Sequence, residues 1–231
     1  MLSFTDWLTN IPIWGRIAVV PIYVGIIVLT AELSHQKGWL PPEPTRKIVH
    51  IGTGHVILIA WLLQLPAWVG ITSAILASMA TLISYQLPIL PGVNSVGRKS
   101  LGTFFYAVSI GLLTAIFWPI QQPEYAVIGI LIMAWGDGLA AIVGQKFGKH
   151  PYQVWGNQKS LEGTTVLMLV SYLITTVILY AVSGSSPGTW LVGIPVAIAA
   201  VALESISQWG IDNLTLPIGT ALIAFGLNYL L

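Results

Sequence analysis

Cysteine is absent from the 231 residues, which excludes disulfides, thiolate chemistry and cysteine-ligated metal sites. Charge is almost as scarce. Nine Lys or Arg and eight Asp or Glu make up 7% of the chain, where a soluble domain carries about 25%, so an ordinary water-soluble globule is ruled out. The net charge of +1 comes from scattered cations and not from a dense basic face, so no nucleic-acid partner is expected. The alternating polarity that a transmembrane barrel needs is also missing. No Lys or Arg precedes Arg16, and no small-residue cleavage signal follows the first apolar run. The first helix is therefore expected to remain in the protein and not to be removed as a signal peptide.

What is present is apolar. Hydrophobic residues make up 55% of the chain, mean hydropathy is +0.83, and stretches 48–97, 100–123, 163–203 and 213–231 contain no charged residue. About 20 apolar residues cross a bilayer, so the first and third stretches each have room for two spans. The chain reads as an all-α, polytopic transmembrane helical bundle, one integral-membrane domain over residues 1–231. Spans fall near 13–34, 46–64, 67–86, 101–120, 124–146, 161–182, 189–207 and 213–231, with seven spans as the nearest alternative.

Connections near 65–66, 121–123 and 183–188 are short and carry no cation, whereas those near 35–45, 87–100, 147–160 and 208–212 are mostly longer and more polar. Lys37, Arg46, Lys47, Arg98, Lys99, Lys146, Lys149 and Lys159 all flank the second set, leaving Arg16 on the other side. The positive-inside rule makes the crowded side cytoplasmic. Trp14, Trp61, Trp68, Trp118, Trp190 and Trp209 lie near span ends, as amphipathic rings should, and Trp135 is the exception.

Polar residues that hydrophobicity alone would have removed carry the chemistry. Asp137, in AWGDGLAAIVGQKFGK at 134–149, lies about 20 Å into a layer about 30 Å thick, on the cytoplasmic half. An intramembrane carboxylate is costly and functional by default, a helix-packing Asp paired with a buried Lys being the plainer alternative. Gly136, Ala140, Gly144 and Gly148 recur every four residues, a ridge whose ordinary meaning is close helix packing. In RKIVHIGTGH at 46–55, Arg46 and His50 share a helix face, with His55 about 140° away from His50. Lys159 and Glu162 open the sixth span, Glu204 closes the seventh, and Asp212 with Asn213 fills the link to the eighth.

The topology places all of these at one rim. Several cations with two to four carboxylates suit a Mg²⁺-bound nucleotide: Lys and Arg answer phosphate charge, and carboxylates hold a hard, hydrated cation. Neither GRKS at 97–100 nor GQKFGKH at 144–150 fits the soluble P-loop pattern, so any nucleotide site is of a membrane-embedded type.

These residues resemble the CTP-dependent polyprenol and phytol kinases, a family that includes dolichol kinase and farnesol kinase. The family's D-x-x-A-x-x-x-G-x-x-x-G pattern is matched by Asp137, Ala140, Gly144 and Gly148. Its K-K-T-x-E-G block is matched by Gln158 to Gly163, with Gln158 in place of the first Lys. RKIVHIGTG at 46–54, Gly102-Thr103 followed by Tyr106, and ESISQWGIDNLTLP at 204–217 complete the resemblance, and the short chain looks more like the phytol kinase branch.

The resemblance implies a kinase that moves the γ-phosphoryl of CTP or UTP onto phytol, or onto a related prenyl alcohol such as geranylgeraniol or farnesol, in the lipid bilayer. Asp137 is then expected to ligate Mg²⁺ or activate the hydroxyl, with Glu162 and Asp212 as helpers and Asp212 as a second metal ligand. Arg46, Lys47, Lys149 and Lys159 answer phosphate, Gly144 and Gly148 let backbone approach it, Asn213 positions the nucleotide, and His50 orients phosphate or hydroxyl. A CTP-dependent diacylglycerol kinase or phosphatidate cytidylyltransferase needs similar groups. A transporter would instead place ionisable groups near the bilayer midplane on broken helices.

Overall fold

Prolines fix where three of the apolar runs become helical, because proline suits the first helical turn, whose N–H groups have no intrahelical partner. The structure is a computed structural model that describes residues 10–86 and 101–230. The 87–100 connection, with Arg98, Lys99 and the start of the KSLGT segment, lies outside the described residues. Helix α1 spans Ile13–Gln36, α2 Pro42–Leu62, α3 Ala67–Gln86 and α4 Gly102–Phe117. The next span runs from α5 (Pro123–Leu131) through a π-helical turn (Ile132–Asp137) into α6 (Gly138–Phe147). An antiparallel hairpin of β1 (Pro151–Val154) and β2 (Asn157–Ser160) leads to α7 (Leu161–Ser183), with Pro151 opposite Ser160 and Val154 opposite Asn157. The chain closes with α8 (Pro187–Leu191), α9 (Gly193–Ile206) and α10 (Asp212–Leu230).

Among the described residues, six spans are long and apolar enough to cross a membrane, and α2 and the shorter α4 complete an eight-span, all-α layout. Three boundaries differ from the sequence reading. Helix α2 starts four residues before the expected 46, because Pro42 sits in its first turn and Glu43 pairs with Arg46 at 2.9 Å one turn on. Helix α4 ends at Phe117 and not at 120. The seventh span is broken at Val192, where Pro195 has no N–H to return to residue 191. The 147–160 connection, expected as a polar loop, contains the hairpin.

The Pro123–Phe147 span is the hub. Its most apolar stretch is 67% buried, against 11% for α1 and α3, whose exposed Ile22, Ile26, Ile75 and Leu76 make a lipid-facing surface. It packs against α2, α4, α7 and α10, burying Ile128, Ile132, Leu113, Phe117, Leu167 and Leu216 completely. Lipid tails give helices no hydrophobic reason to associate, so close backbone approach matters. Gly129 supplies it on α10, where an added Cβ would strike the Pro217 carbonyl, and Gly54 supplies it on α2, where one would strike Ala134. At the end of the bundle where α2 and α4 finish, Arg16 donates to the Leu63 carbonyl at 3.2 Å and Trp118 to the Leu65 carbonyl at 2.9 Å. Within the layer, Trp135 Nε1 donates to His55 Nε2 at 3.1 Å, and Tyr23 lies 3.1 Å from His55 Nδ1. The expected exception among the tryptophans thus ties the π-turn to α2 and α1.

Gly129→Ala is expected to destabilise the bundle by about 1–3 kcal/mol through overpacking. Gly226→Ala, where a Cβ meets nothing within 4 Å, is expected to leave stability unchanged or raise it. Thermal melting of both variants in one detergent checks the pair.

Candidate active site

A cleft of about 1010 Å³ opens at the end of the bundle where α2, α4, α7 and α10 begin and α6 and α9 finish. At its floor Lys47 Nζ donates to Asp137 Oδ2 at 3.1 Å, with only 8% and 16% of the two side chains exposed. Asp137 closes the π-turn, and Lys47 lies one turn into α2, so the ion pair ties the hub to its neighbour. His50, one turn deeper, has Nε2 3.6 Å from the same carboxylate oxygen and 3.3 Å from the Met133 carbonyl, which can only accept. Tyr106 fixes that position: its ring packs against His50 with centroids 4.9 Å apart, and its hydroxyl donates to the His50 carbonyl at 2.8 Å.

The opposite wall carries a second pair. Lys159 on β2 donates to the Glu204 carboxylate and, at 2.8 Å, to the Glu204 carbonyl at the end of α9. Glu204 was legible only as the carboxylate ending a charge-free run, and its pairing with Lys159, 45 residues away, is a property of the fold. Asp212 opens α10 and accepts from the Asn213 backbone N–H at 3.0 Å and from its side-chain amide at 3.1 Å. Asn213 Oδ1 is buried with no protein partner, and so is Arg46 Nε, although Arg46 Nη2 reaches Glu43 at 2.9 Å. A buried polar atom left bare costs about 1–3 kcal/mol, and these two belong to residues that line the cleft, where a bound group could satisfy them.

The glycines act at the back of the cleft. A Cβ on Gly136 would meet Leu167 at 2.8 Å, one on Gly144 would meet Ser160 Oγ at 2.9 Å, and one on Gly148 would meet the Gly144 carbonyl and Ser160. From the other side, a Cβ on Gly163 would meet the Ala140 carbonyl at 2.8 Å. The four-residue ridge is thus a packing seam that presses α6 onto α7, and Ala140, Gly144, Gly148 and Gly163 also line the cleft. Ser160 caps α7 by accepting from Gly163 N at 3.2 Å, which fixes where the hairpin ends and the helix starts.

Of the residues singled out from sequence, Arg46, Lys47, His50, Asp137, Gly144, Gly148, Lys159, Asp212 and Asn213 all line this cleft. Glu162 and Lys149 are not among its lining residues. Glu162 follows the cap by two residues, about 100° round the helix from the inward-facing Gly163, and it pairs with exposed His150 at 2.7 Å on the outer side of the hairpin. The spacing of Arg46 and His50 suggested a shared function, but it is Lys47 that meets Asp137 beside His50.

Among the described residues no three His, Asp or Glu side chains cluster as a ready-made metal cage. Mg²⁺ does not require one, because it keeps its waters and commonly takes one or two protein oxygens together with substrate phosphates. The Asp212 carboxylate beside the bare Asn213 Oδ1 offers such a pair of hard oxygens.

The chain is 52% identical to a phytol kinase of Synechocystis sp., over 95% of this chain and 94% of that protein. It is 27% identical to the chloroplastic phytol kinase 1 of Arabidopsis thaliana, over 86% of this chain and 71% of that protein. With a chloroplastic farnesol kinase of the same plant the identity is 28%, over 82% and 67% of the two chains. No family profile and no solved structure matches.

Lys47→Met and Asp137→Asn, made singly, are each expected to destabilise the protein by about 1–3 kcal/mol, because each strands a desolvated partner. The double variant is expected to recover most of that loss. A double-mutant cycle on melting temperature in detergent checks it, and additive losses would show that the two groups are not coupled.

Proposed function

The chain belongs to the phytol kinase family, and we propose that it transfers the γ-phosphoryl group of CTP or UTP to the primary hydroxyl of phytol or a related prenyl alcohol. The products are a prenyl monophosphate and a nucleoside diphosphate. The acceptor class follows the relatives' names, phytol kinase and farnesol kinase. The pyrimidine donor follows the resemblance of the 137–148 and 158–163 segments to the nucleotide pattern of CTP-dependent polyprenol kinases. One observation carries the reading: cations and carboxylates from five separate elements meet in one cleft at the end of an apolar bundle. A lipid-borne alcohol and a water-borne triphosphate can meet only where their two phases do. The cations flanking this end, against Arg16 at the other, support its placement on the cytoplasmic face.

Phosphoryl transfer asks mainly for alignment and charge stabilisation, and no covalent protein intermediate is required. Asp137 receives the hydroxyl proton as the alcohol oxygen attacks the γ-phosphorus and the bond to the β-phosphate oxygen breaks. Lys47 holds the Asp137 carboxylate in place and, with Arg46 and Lys159, answers the charge that gathers on the phosphoryl oxygens. His50 is a positioning residue that fixes Asp137 from below. Asp212 and Asn213 would hold Mg²⁺, which when bound draws charge from the phosphates. Gly144 and Gly148 keep the wall free of side chains, so phosphate oxygens can approach backbone.

Asp137→Asn is expected to lower kcat by about 10³-fold with membrane expression intact. Near-normal turnover would remove Asp137 from the chemistry. Lys159→Ala is expected to raise the KM for the nucleotide about tenfold more than it lowers kcat. Membranes containing the protein, given γ-labelled CTP, UTP or ATP with phytol, geranylgeraniol, farnesol, dolichol or diacylglycerol, identify donor and acceptor directly. Release of the nucleoside diphosphate supports the kinase, whereas release of pyrophosphate indicates nucleotidyl transfer.

A further inference from the structure

Beside the polar cleft lies a second one of about 490 Å³, lined by apolar side chains that include Leu101, Phe105, Ile206 and Ile211, with Gln208 and Trp209 shared between the two. The two compartments are opposite sides of the same short segments. Gly102, Gly156, Ser207 and Asp212 line the polar cleft, and their immediate chain neighbours Leu101, Trp155, Ile206 and Ile211 line the apolar one. A nucleotide has no use for the apolar side. An amphiphile fits both, with its head across the shared wall and its tail behind.

Two tryptophans build that wall on backbone that disfavours them. Trp155 (φ 46°) and Gly156 (φ 84°) form the two-residue turn joining β1 to β2. Trp209 (φ 60°) and Gly210 (φ 87°) repeat the arrangement, with Ile211 N donating to the Gln208 carbonyl at 3.0 Å. Asn or Gly is the relaxed choice at the first position of such a turn, and a bulky aromatic there is a true outlier. Strain of this kind points toward function. The two turns are also locked together: Gln208 Nε2 donates to the Trp155 carbonyl at 2.9 Å, and Asn157 Nδ2 to the Ser207 carbonyl at 3.0 Å. Yet the side chains stay 70% and 77% exposed, held open beside the apolar cleft.

We propose that this apolar cleft is the acceptor-tail subsite, binding the isoprenoid chain of the alcohol between the Trp155 and Trp209 walls and passing its hydroxyl over Trp209 into the polar cleft. The proposal rests on the prenyl-alcohol reading above and adds where the acceptor lies and which residues select its length.

Trp155→Asn and Trp209→Asn each install the relaxed Asn-Gly turn, so their melting temperatures are expected to equal or exceed that of the parent. In nanodiscs the KM for geranylgeraniol is expected to rise about tenfold, with the KM for the nucleotide unchanged within about twofold and a much smaller penalty for geraniol. Equal losses for the long and the short alcohol would overturn the proposal and mark both tryptophans as bilayer anchors. A geranylgeraniol analogue carrying a diazirine, photolysed without nucleotide, is expected to label Leu101, Phe105, Ile206 or Ile211 and to be displaced by phytol. Such labelling in a protein that phosphorylates no prenyl alcohol would sink the kinase reading and leave the subsite standing. Turnover of geranylgeraniol with label confined to α1 and α3 would sink the subsite alone.

Discussion

The ion pair between Lys47 and Asp137 is the constraint around which the rest is arranged. A carboxylate carried this far into an apolar bundle is tolerated only where something answers its charge, and a lysine on a neighbouring helix does so at 3.1 Å. The pair fixes the register of α2 against the hub span. His50 and Tyr106 then fall into place, one beside the carboxylate and the other packed behind the imidazole. An isolated pair of buried charges is weak evidence for stability, since packed apolar residues often serve as well. Here the pair sits in a cleft that also holds two unsatisfied polar atoms, Arg46 Nε and Asn213 Oδ1, and that placement supports the functional reading proposed above.

A second requirement is closeness. The back of the cleft is a contact between α6 and α7 that leaves no room for a Cβ at Gly144, Gly148 or Gly163. The small-residue ridge therefore has two roles at once, since the absence of side chains lets two helices touch and leaves bare backbone facing the cleft. The hairpin continues this wall, and its hydrogen bonds to Ser207 and Gln208 bring the Lys159–Glu204 and Asp212–Asn213 groups round to face Asp137.

Much of this was legible in the sequence, because charge-free stretches of bilayer length leave few alternatives for topology, and topology alone gathers the ionisable groups at one end. The residue-level facing was less accessible. Four-residue strands are too short for a period to show, and a Trp-Gly pair is no ordinary turn signal, so nothing in the sequence distinguishes the hairpin from a polar loop. The choice between Arg46 and Lys47 as the partner of Asp137 depends on how α2 is rotated, which the hub decides. Glu162 looked equivalent to its neighbours until the Ser160 cap set the phase of α7 and turned it toward His150. Pro195 alone does not announce the break at Val192, since Pro21 and Pro217 lie inside the unbroken α1 and α10, and the π-turn has no signature in a pattern of period 3.6.

That π-turn, Ile132–Asp137, amounts to one extra residue lodged in an otherwise regular span. Winding the same residues at ordinary α-helical pitch, with none removed, would swing everything downstream by about 100°. Ala140, Gly144 and Gly148 would turn from α7 toward another neighbour, and bulkier side chains would enter the seam. The irregularity is thus a phase adjustment. It lets one continuous rod present a tightly packed apolar face in its first half and a glycine edge, aimed at a different helix, in its second.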